Sequence, residues 1–385
     1  MKNALTAYIG GAIFDGHTWN SQSELIIEEK HVSRIVPDTN LPDTYEIVRL
    51  NGGIITAGFV DLQVNGGGGV MLNNTPTVDT IRTICEAHLQ FGTTSLLPTL
   101  ITADREKTNA AIVAVKDAIA SNVGGVIGIH LEGPHLSVAR KGAHNPDLIR
   151  KMETGDCEQL VKLAHDLPNL FLTVAPEAVT LTQIASLNNA GAIVSLGHSD
   201  ADYETVQAAV QAGASCITHL FNAMSPLTNR APGMVGAALD IELLSAGLIA
   251  DGIHVNPAAI RIAVRAKHGQ GHVFLVTDAM ATIGTDMNEF NMDGRTILRR
   301  NNRLTLPDGT LAGADLNMIS AVRFMVNEIH IDIGEALRMA SLYPAQILNR
   351  DAEIGSLSTG TCADFIHLDQ DLQIHDVWRG NERLK

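Results

Sequence analysis

Three side chains of the kind that hydrolytic metal sites use stand at matching places in the chain. Ala192-Ile-Val-Ser-Leu-Gly-His198 and Cys216-Ile-Thr-His219 are short apolar runs of β-type residues. Each stops on a histidine, and a helical segment, 201–212, separates them. A strand–helix–strand unit of this kind places both strand ends on one side of a sheet, so the two imidazoles can converge. A third run, Val126-Ile-Gly-Ile-His130-Leu-Glu132, ends on a carboxylate. Two imidazoles and a carboxylate with one position open is the ligand set of a hydrolytic zinc site; Fe²⁺, Co²⁺ and Mn²⁺ also suit such donors. A lone histidine is more often a satisfied core residue than a ligand. Two at corresponding strand ends, with a strand-end glutamate, favour the metal. His130 shares the parity of Glu132 but lies two residues deeper, which suits a buried supporting role.

Further residues carry chemistry around this set. Asp278 ends Val273-Phe-Leu-Val-Thr-Asp278. A carboxylate there can take a proton from an activated water and pass it to a leaving group. The alternative, an N-cap, is disfavoured because no strong helical run follows at once. His144 lies in the loop after Glu132, where it either polarises a carbonyl or sits on the surface. Arg230, in Thr228-Asn-Arg230-Ala-Pro-Gly233, and His254, in Asp251-Gly-Ile-His254, suit a phosphate or carboxylate, or are an ordinary surface pair. Asn65-Gly66-Gly67-Gly68-Gly69 lacks the spacing of a dinucleotide fingerprint and is expected to be a flexible turn.

The elements that must position these groups alternate. Strand-like runs recur at 58–64, 94–100, 126–132, 170–176, 192–197, 216–221, 243–250 and 272–277. Helical periodicity fills most of the gaps: 78–91, 105–120, 158–167, 181–190, 201–212, 257–267, and later 315–329 and 333–340. Alternation of this kind means parallel strands with right-handed crossovers, and eight of them match a (β/α)₈ TIM-type barrel. Polar residues gather at the C-terminal ends of the runs (Gln63, Glu132, Glu177, His198, His219, Asp251, Asp278), the face where barrel enzymes place their chemistry. Residues 288–313, rich in Asn, Asp and Gly, read as a hairpin-like excursion. Strand-like segments at 5–14, 24–29, 31–36 and 45–50, broken by turns such as Pro37-Asp38, pair in expectation with 363–369 and 373–378 near the other end. The expected division is a small β-sandwich domain built from 1–56 and 345–385 around a catalytic barrel at 57–344.

Composition narrows the partners. The 385 residues carry 27 basic against 42 acidic side chains, a net charge of −15 without a basic block, which argues against nucleic acid and a membrane surface. No apolar stretch reaches the ~18 residues of a membrane span. The first residues lack an apolar signal region, so a cytoplasmic location is expected. Four cysteines without a CxxC pair are expected to be free thiols.

His-Leu-Glu132-Gly-Pro-His, Ser-Leu-Gly-His198-Ser, Thr-His219-Leu-Phe-Asn222-Ala-Met-Ser, Ala-Asp251-Gly-Ile-His254 and Val-Thr-Asp278-Ala-Met together resemble the N-acetylglucosamine-6-phosphate deacetylases of the amidohydrolase superfamily, over essentially the whole chain. The resemblance implies removal of acetate from the 2-amino group of a small amino-sugar phosphate. Glu132, His198 and His219 would hold the metal, Asp278 would be the acid/base and His144 would support the acetyl carbonyl. His254 and Arg230 would contact the phosphate, Arg230 reaching in from a neighbouring subunit of a homodimer or dimer of dimers. Asn222, Ala223, Ala143 and the turn Leu311-Ala312-Gly313 match substrate-contacting positions. Many amidohydrolases carry His-x-His where this chain has Gln63-Val64-Asn65; the departure implies one divalent metal per subunit, with Gln63 as its polar neighbour. Ala57 stands where the family usually has proline, with no expected functional cost. The rival readings are a deacetylase for the galactosamine epimer and a non-catalytic scaffold.

Overall fold

A computed structural model describes residues 5–37 and 41–385; residues 1–4 and the expected turn at Asp38 lie outside them. Eight parallel strands follow one another in chain order around a barrel: β1 (Phe59–Val64), β2 (Thr93–Ile101), β3 (Ile129–Glu132), β4 (Leu170–Val174), β5 (Ile193–Leu196), β6 (Cys216–Ile217), β7 (Ser245–Leu248) and β8 (Val273–Leu275). Every residue of these strands is buried, as near-continuous apolar runs covered on both faces should be. The seam between β8 and β1 is closed just past the strand ends. Asp278 N–H donates to the Gln63 carbonyl at 3.0 Å, Asn65 N–H donates to the Ala279 carbonyl at 2.9 Å, and the Thr277 hydroxyl donates to Asp61 Oδ2 at 2.5 Å. Burial pushes the Asp61 carboxyl up to about 7, against the pull of these hydrogen bonds.

The crossover helices begin where sequence provides a cap. Thr77, Asp104, Thr180, Asp202, Asn256, Asn317 and Asp332 each accept a backbone N–H of the first turn, satisfying a donor the helix leaves free. One helix, Gly233–Asp240, lies where periodicity showed only a loop. It is eight residues long, includes two glycines and is buried almost all round, so it has no polar face to generate a 3.6-residue signal. At Gly236 a Cβ would come within 2.5 Å of the Pro232 side chain, which explains a residue of poor helix propensity there.

Both ends of the described chain meet outside the barrel. A six-stranded sheet joins Trp19–Asn20, Ala12–Phe14, Ile54–Ala57, Phe365–Leu368, Ile374–Arg379 and Glu382–Arg383 in that spatial order. A four-stranded sheet of Leu5–Ile9, Ser23–Glu28, His31–Pro37 and Tyr45–Arg49 adjoins it. Tyr8, Leu25, Ile55, Phe365 and Trp378 pack together between the two sheets. The excursion after β8 is a four-stranded antiparallel sheet, Glu289–Met292, Arg295–Arg300, Arg303–Thr305 and Leu311–Ala314. The glycine run after β1 is not the flexible turn its composition suggested. Gly66–Gly67 pairs with Val70–Met71, and a Cβ on Gly66 would fall 2.5 Å from both Met71 Sδ and the Val70 carbonyl, so the glycines serve close packing. All four cysteines are free.

Candidate metal and catalytic centre

The three side chains singled out from strand ends converge. Glu132 closes β3, while His198 and His219 follow β5 and β6 by two residues each, and all three are buried. His198 Nε2 and His219 Nε2 each stand 3.1 Å from Glu132 Oε1 and 3.0 Å from one another. This near-equilateral triangle approaches the roughly 3.3 Å edge of a tetrahedron with ~2.0–2.1 Å ligand bonds. Protons alone satisfy it poorly. His198 Nδ1–H donates to the Arg140 carbonyl at 2.8 Å, which leaves Nε2 as the ring atom facing both the carboxylate oxygen and His219. One hydrogen on His219 Nε2 serves one edge of the triangle, while the buried His219 Nδ1 meets no side-chain partner among the described residues. A cation inside the triangle satisfies all three donors, and the residues therefore fit a metal. Burial alone would raise the Glu132 carboxyl, but hydrogen bonds from both imidazoles hold it well below the usual range.

His198, His219 and Asp278 share a backbone feature. Their φ angles are +47°, +32° and +50°, the left-handed region that costs non-glycine residues energy and that clusters at functional sites. Asp278 lies across from Glu132, joined to it by Gln63. The Gln63 amide donates to Asp278 Oδ1 at 3.1 Å and to Glu132 Oε2 at 3.3 Å, and Asn65 Nδ2 donates to Asp278 Oδ1 at 2.7 Å. Two amide N–H groups from positions 63 and 65 therefore point at the Asp278 carboxylate. Burial, then the charge of Glu132, raises the Asp278 carboxyl to about 6. Asn65 was not singled out from the sequence. Its signal was available, because residue 65 shares the face of Gln63 at the two-residue period of a strand.

His144 closes the other side of the cleft. It is buried, its Nδ1 is 2.7 Å from the Thr102 hydroxyl, and its ring lies 4.3 Å from that of His198, centroid to centroid. Burial, then the neighbouring His198, holds its pKa well below the usual imidazole value, so the ring is neutral at pH 7. Loop 140–144 is fixed from two directions, by the Arg140–Asp200 ion pair and by Arg295 Nη2 donating to the Ala143 carbonyl. His254 is held through Nδ1 by Asp251 Oδ2 at 2.6 Å. One layer below the triangle, His130 Nε2 meets the Thr173 hydroxyl at 2.8 Å; burial lowers its pKa to about 4.

A cleft of about 260 Å³ gathers Asp278, His144, His198 and His219 with Ala143, Asn222, Ala223, His254 and the turn Leu311-Ala312-Gly313. Arg230 is exposed and does not line it. The apolar lining, Ile101, Met280 and Met292, was not anticipated.

A (β/α)₈ barrel with a three-donor metal site and a carboxylate at the end of its last strand is the frame of a metal-dependent hydrolase. The Amidohydrolase family model matches residues 54–383, and the chain belongs to that family, whose members are metal-dependent hydrolases of amide bonds. It is 48% identical over 336 residues to N-acetylgalactosamine-6-phosphate deacetylase of Shewanella sp. (strain ANA-3), covering 87% of this chain and 84% of that protein. It is 36% identical over 343 residues to N-acetylglucosamine-6-phosphate deacetylase of Haemophilus influenzae, covering 88% and 89%. The crystal structure of N-acetylglucosamine-6-phosphate deacetylase from Pasteurella multocida superposes with a TM-score of 0.94 at 35% identity, covering 98% of this chain and 99% of that one. No helix among the described residues is long and apolar enough to cross a membrane.

Proposed function

We propose that the chain hydrolyses the N-acetyl group of N-acetyl-D-glucosamine 6-phosphate, releasing acetate and D-glucosamine 6-phosphate. The observation that carries this reading is the convergence of the Glu132–His198–His219 triangle, Asp278 and His144 on one cleft. A divalent ion held by the triangle, with zinc as the default, would acidify a water and polarise the amide carbonyl. Asp278 accepts the proton of the attacking water and returns it to the departing amine, a shuttle suited to a carboxyl raised to about 6. With Nδ1 engaged by the Thr102 hydroxyl at 2.7 Å, His144 turns Nε2 to the cleft, where the tautomer protonated at Nε2 would donate to the carbonyl oxygen as negative charge develops. His254 and the Asn222–Ala223 backbone hold the phosphate and sugar. Arg230 would complete the phosphate site of a neighbouring subunit in a homodimer or dimer of dimers.

The same reading takes 1–56 with 345–385 as the β domain, 57–344 as the catalytic barrel, and the cytoplasm as the compartment. A second reading, N-acetylgalactosamine 6-phosphate, is favoured by the 48% identity to the Shewanella enzyme. Acetate release from both epimers, measured with metal content on one sample, tests them together. A higher kcat/KM for the gluco substrate with about one metal per chain supports the main reading. A higher value for the galacto substrate transfers it to the epimer, and release from neither sinks both.

A further inference from the structure

We propose that Ile101, Met280 and Met292 form a closed wall that receives the acyl group of the substrate and limits the enzyme to short N-acyl chains. The inference rests on the deacylase reading of the cleft. Ile101 is the register partner of Glu132 on the neighbouring strand, so its side chain stands beside the carboxylate and faces the same way. The groups proposed for the phosphate and the sugar, His254 and the Asn222–Ala223 backbone, follow β7 and β6. In an eight-stranded barrel β2 lies opposite β6. A hexosamine 6-phosphate carries its 2-amino group and its C6 substituent on opposite sides of the pyranose ring. Anchoring the phosphate beyond β6 and β7 therefore sends the N-acyl group toward β2. Ile101, Met280 and Met292 supply an apolar patch in the cleft lining beside the polar Asn65 and His144, and that patch matches a methyl group.

The wall is fixed rather than soft. Ile101, Met280 and Met292 are 7%, 2% and 0% exposed, and with Ala312 and Phe290 they belong to one apolar cluster beneath the antiparallel excursion. Met280 cannot withdraw toward Gly313: a Cβ at Gly313 would already meet Met280 Cγ and Sδ at 2.5 Å. The proposed wall takes a formyl or acetyl group with these side chains in place. Each further methylene must displace packed atoms.

The test uses purified, metal-loaded enzyme and the N-formyl, N-acetyl, N-propionyl and N-butyryl derivatives of whichever hexosamine 6-phosphate it turns over faster, with release of free amine as the readout. Wild type should lose about tenfold or more in kcat/KM from acetyl to propionyl. In Met292→Ala and Ile101→Ala the propionyl-to-acetyl ratio should rise about tenfold, with Ile101→Val shifting it less in the same direction. Because the readout is a ratio within one protein, a general loss of activity does not mimic it. If Met292→Ala fails to fold, Ile101→Ala and Ile101→Val decide alone. A ratio unchanged from wild type in the folded, metal-loaded variants overturns the wall while leaving the deacylase reading intact. No amine from any derivative with wild type overturns both.

Discussion

Replacing Asn65 by alanine isolates the device that holds Asp278, the carboxylate proposed to transfer the proton. In the wild type, Asp278 Oδ1 accepts two amide N–H groups, from Asn65 at 2.7 Å and from Gln63 at 3.1 Å. The Gln63 amide is shared with Glu132, so the Asn65 bond is the shorter and the undivided one. With both donors on Oδ1, Oδ2 is left for the substrate. A hydrogen bond to a charged group is worth roughly 1.5–3 kcal/mol. Asp278 opens onto the cleft and keeps some access to water, which places the loss near the lower end. About 1.5 kcal/mol corresponds to a little over tenfold in kcat/KM.

The sign of the accompanying pH effect follows from the form that works. The base acts as the carboxylate, and the Asn65 hydrogen bond favours that form, so Asn65→Ala moves the acid limb of kcat/KM to higher pH. Burial and the charge of Glu132 raise Asp278 to about 6, and a cation in the triangle would draw it downward, so the wild-type limb is expected at or below pH 6. The assay is kcat and KM between pH 4.5 and 8 for wild type, Asn65→Ala and Asn65→Gln, with metal content and thermal unfolding on the same samples. The effect should fall on kcat more than on KM, because Asn65 acts on the proton carrier. Unchanged kcat with an unshifted acid limb in a folded, metal-loaded Asn65→Ala would refute the positioning role.

Asp278→Asn should lower turnover by about 10²–10⁴-fold while metal content and unfolding temperature stay near wild type, since no triangle ligand is altered. Glu132→Gln should lower metal content, measured by elemental analysis, because the ligand oxygen loses its charge. Chelation of the wild type should abolish acetate release, and zinc should restore it. Gln63→His with Asn65→His should raise the metal count from about one to two per chain; a count that stays at one would show that the amide pair is not what excludes a second ion. His88 supplies a stability test away from the chemistry. Burial lowers its pKa to about 4, so the folded state prefers the neutral ring. The stability this confers is full above the unfolded pKa of ~6.5 and is lost as pH falls toward 4. His88→Gln should reduce the acid-dependent loss in urea unfolding over that window by up to about 3 kcal/mol, and an unchanged pH dependence would contradict the assignment.

The barrel was legible because its order is simple. Apolar runs covered on both faces alternate with helices, and the helix Arg105–Ala120 begins and ends where periodicity placed it. The metal triangle was legible for the same reason, as polar residues at the ends of apolar runs. The amide pair was half legible: Gln63 stood out as a departure from a pattern, and Asn65 two residues on did not. The apolar wall was not legible at all. Ile101, Met280 and Met292 come from β2, the turn after β8 and the antiparallel excursion, and no spacing relates them. Only the register of Ile101 with Glu132 and the fold of the excursion over the barrel mouth bring them together.

Several strand boundaries read from the sequence, at β5, β6 and β8, ran too far, and the reason lies at the chemistry. The run at 216–221 suggested six strand residues, yet β6 holds its sheet geometry only through Cys216–Ile217. Beyond it the chain turns, with positive φ at His219, Phe221 and Ala223. His198 and Asp278 likewise lie two and three residues past the ends of β5 and β8, each with positive φ. A strand continued in regular geometry would alternate its side chains between the barrel interior and the helix layer, one facing the site and the next facing away. Turning the backbone at the last residue frees it from that alternation. At 198 and 219 the rings then meet over Glu132 at 3.1 Å, and at 278 the carboxylate faces the two amides. Each left-handed residue costs on the order of 1 kcal/mol or more. Seam hydrogen bonds such as Asp278 N–H to Gln63 O, with the backbone bonds Ser199 N–H to Ala223 O and Asn222 N–H to His219 O, hold the turns in place. The strain thus falls at the positions that present the candidate metal donors and the proposed base, while the strands beneath them keep regular pairing.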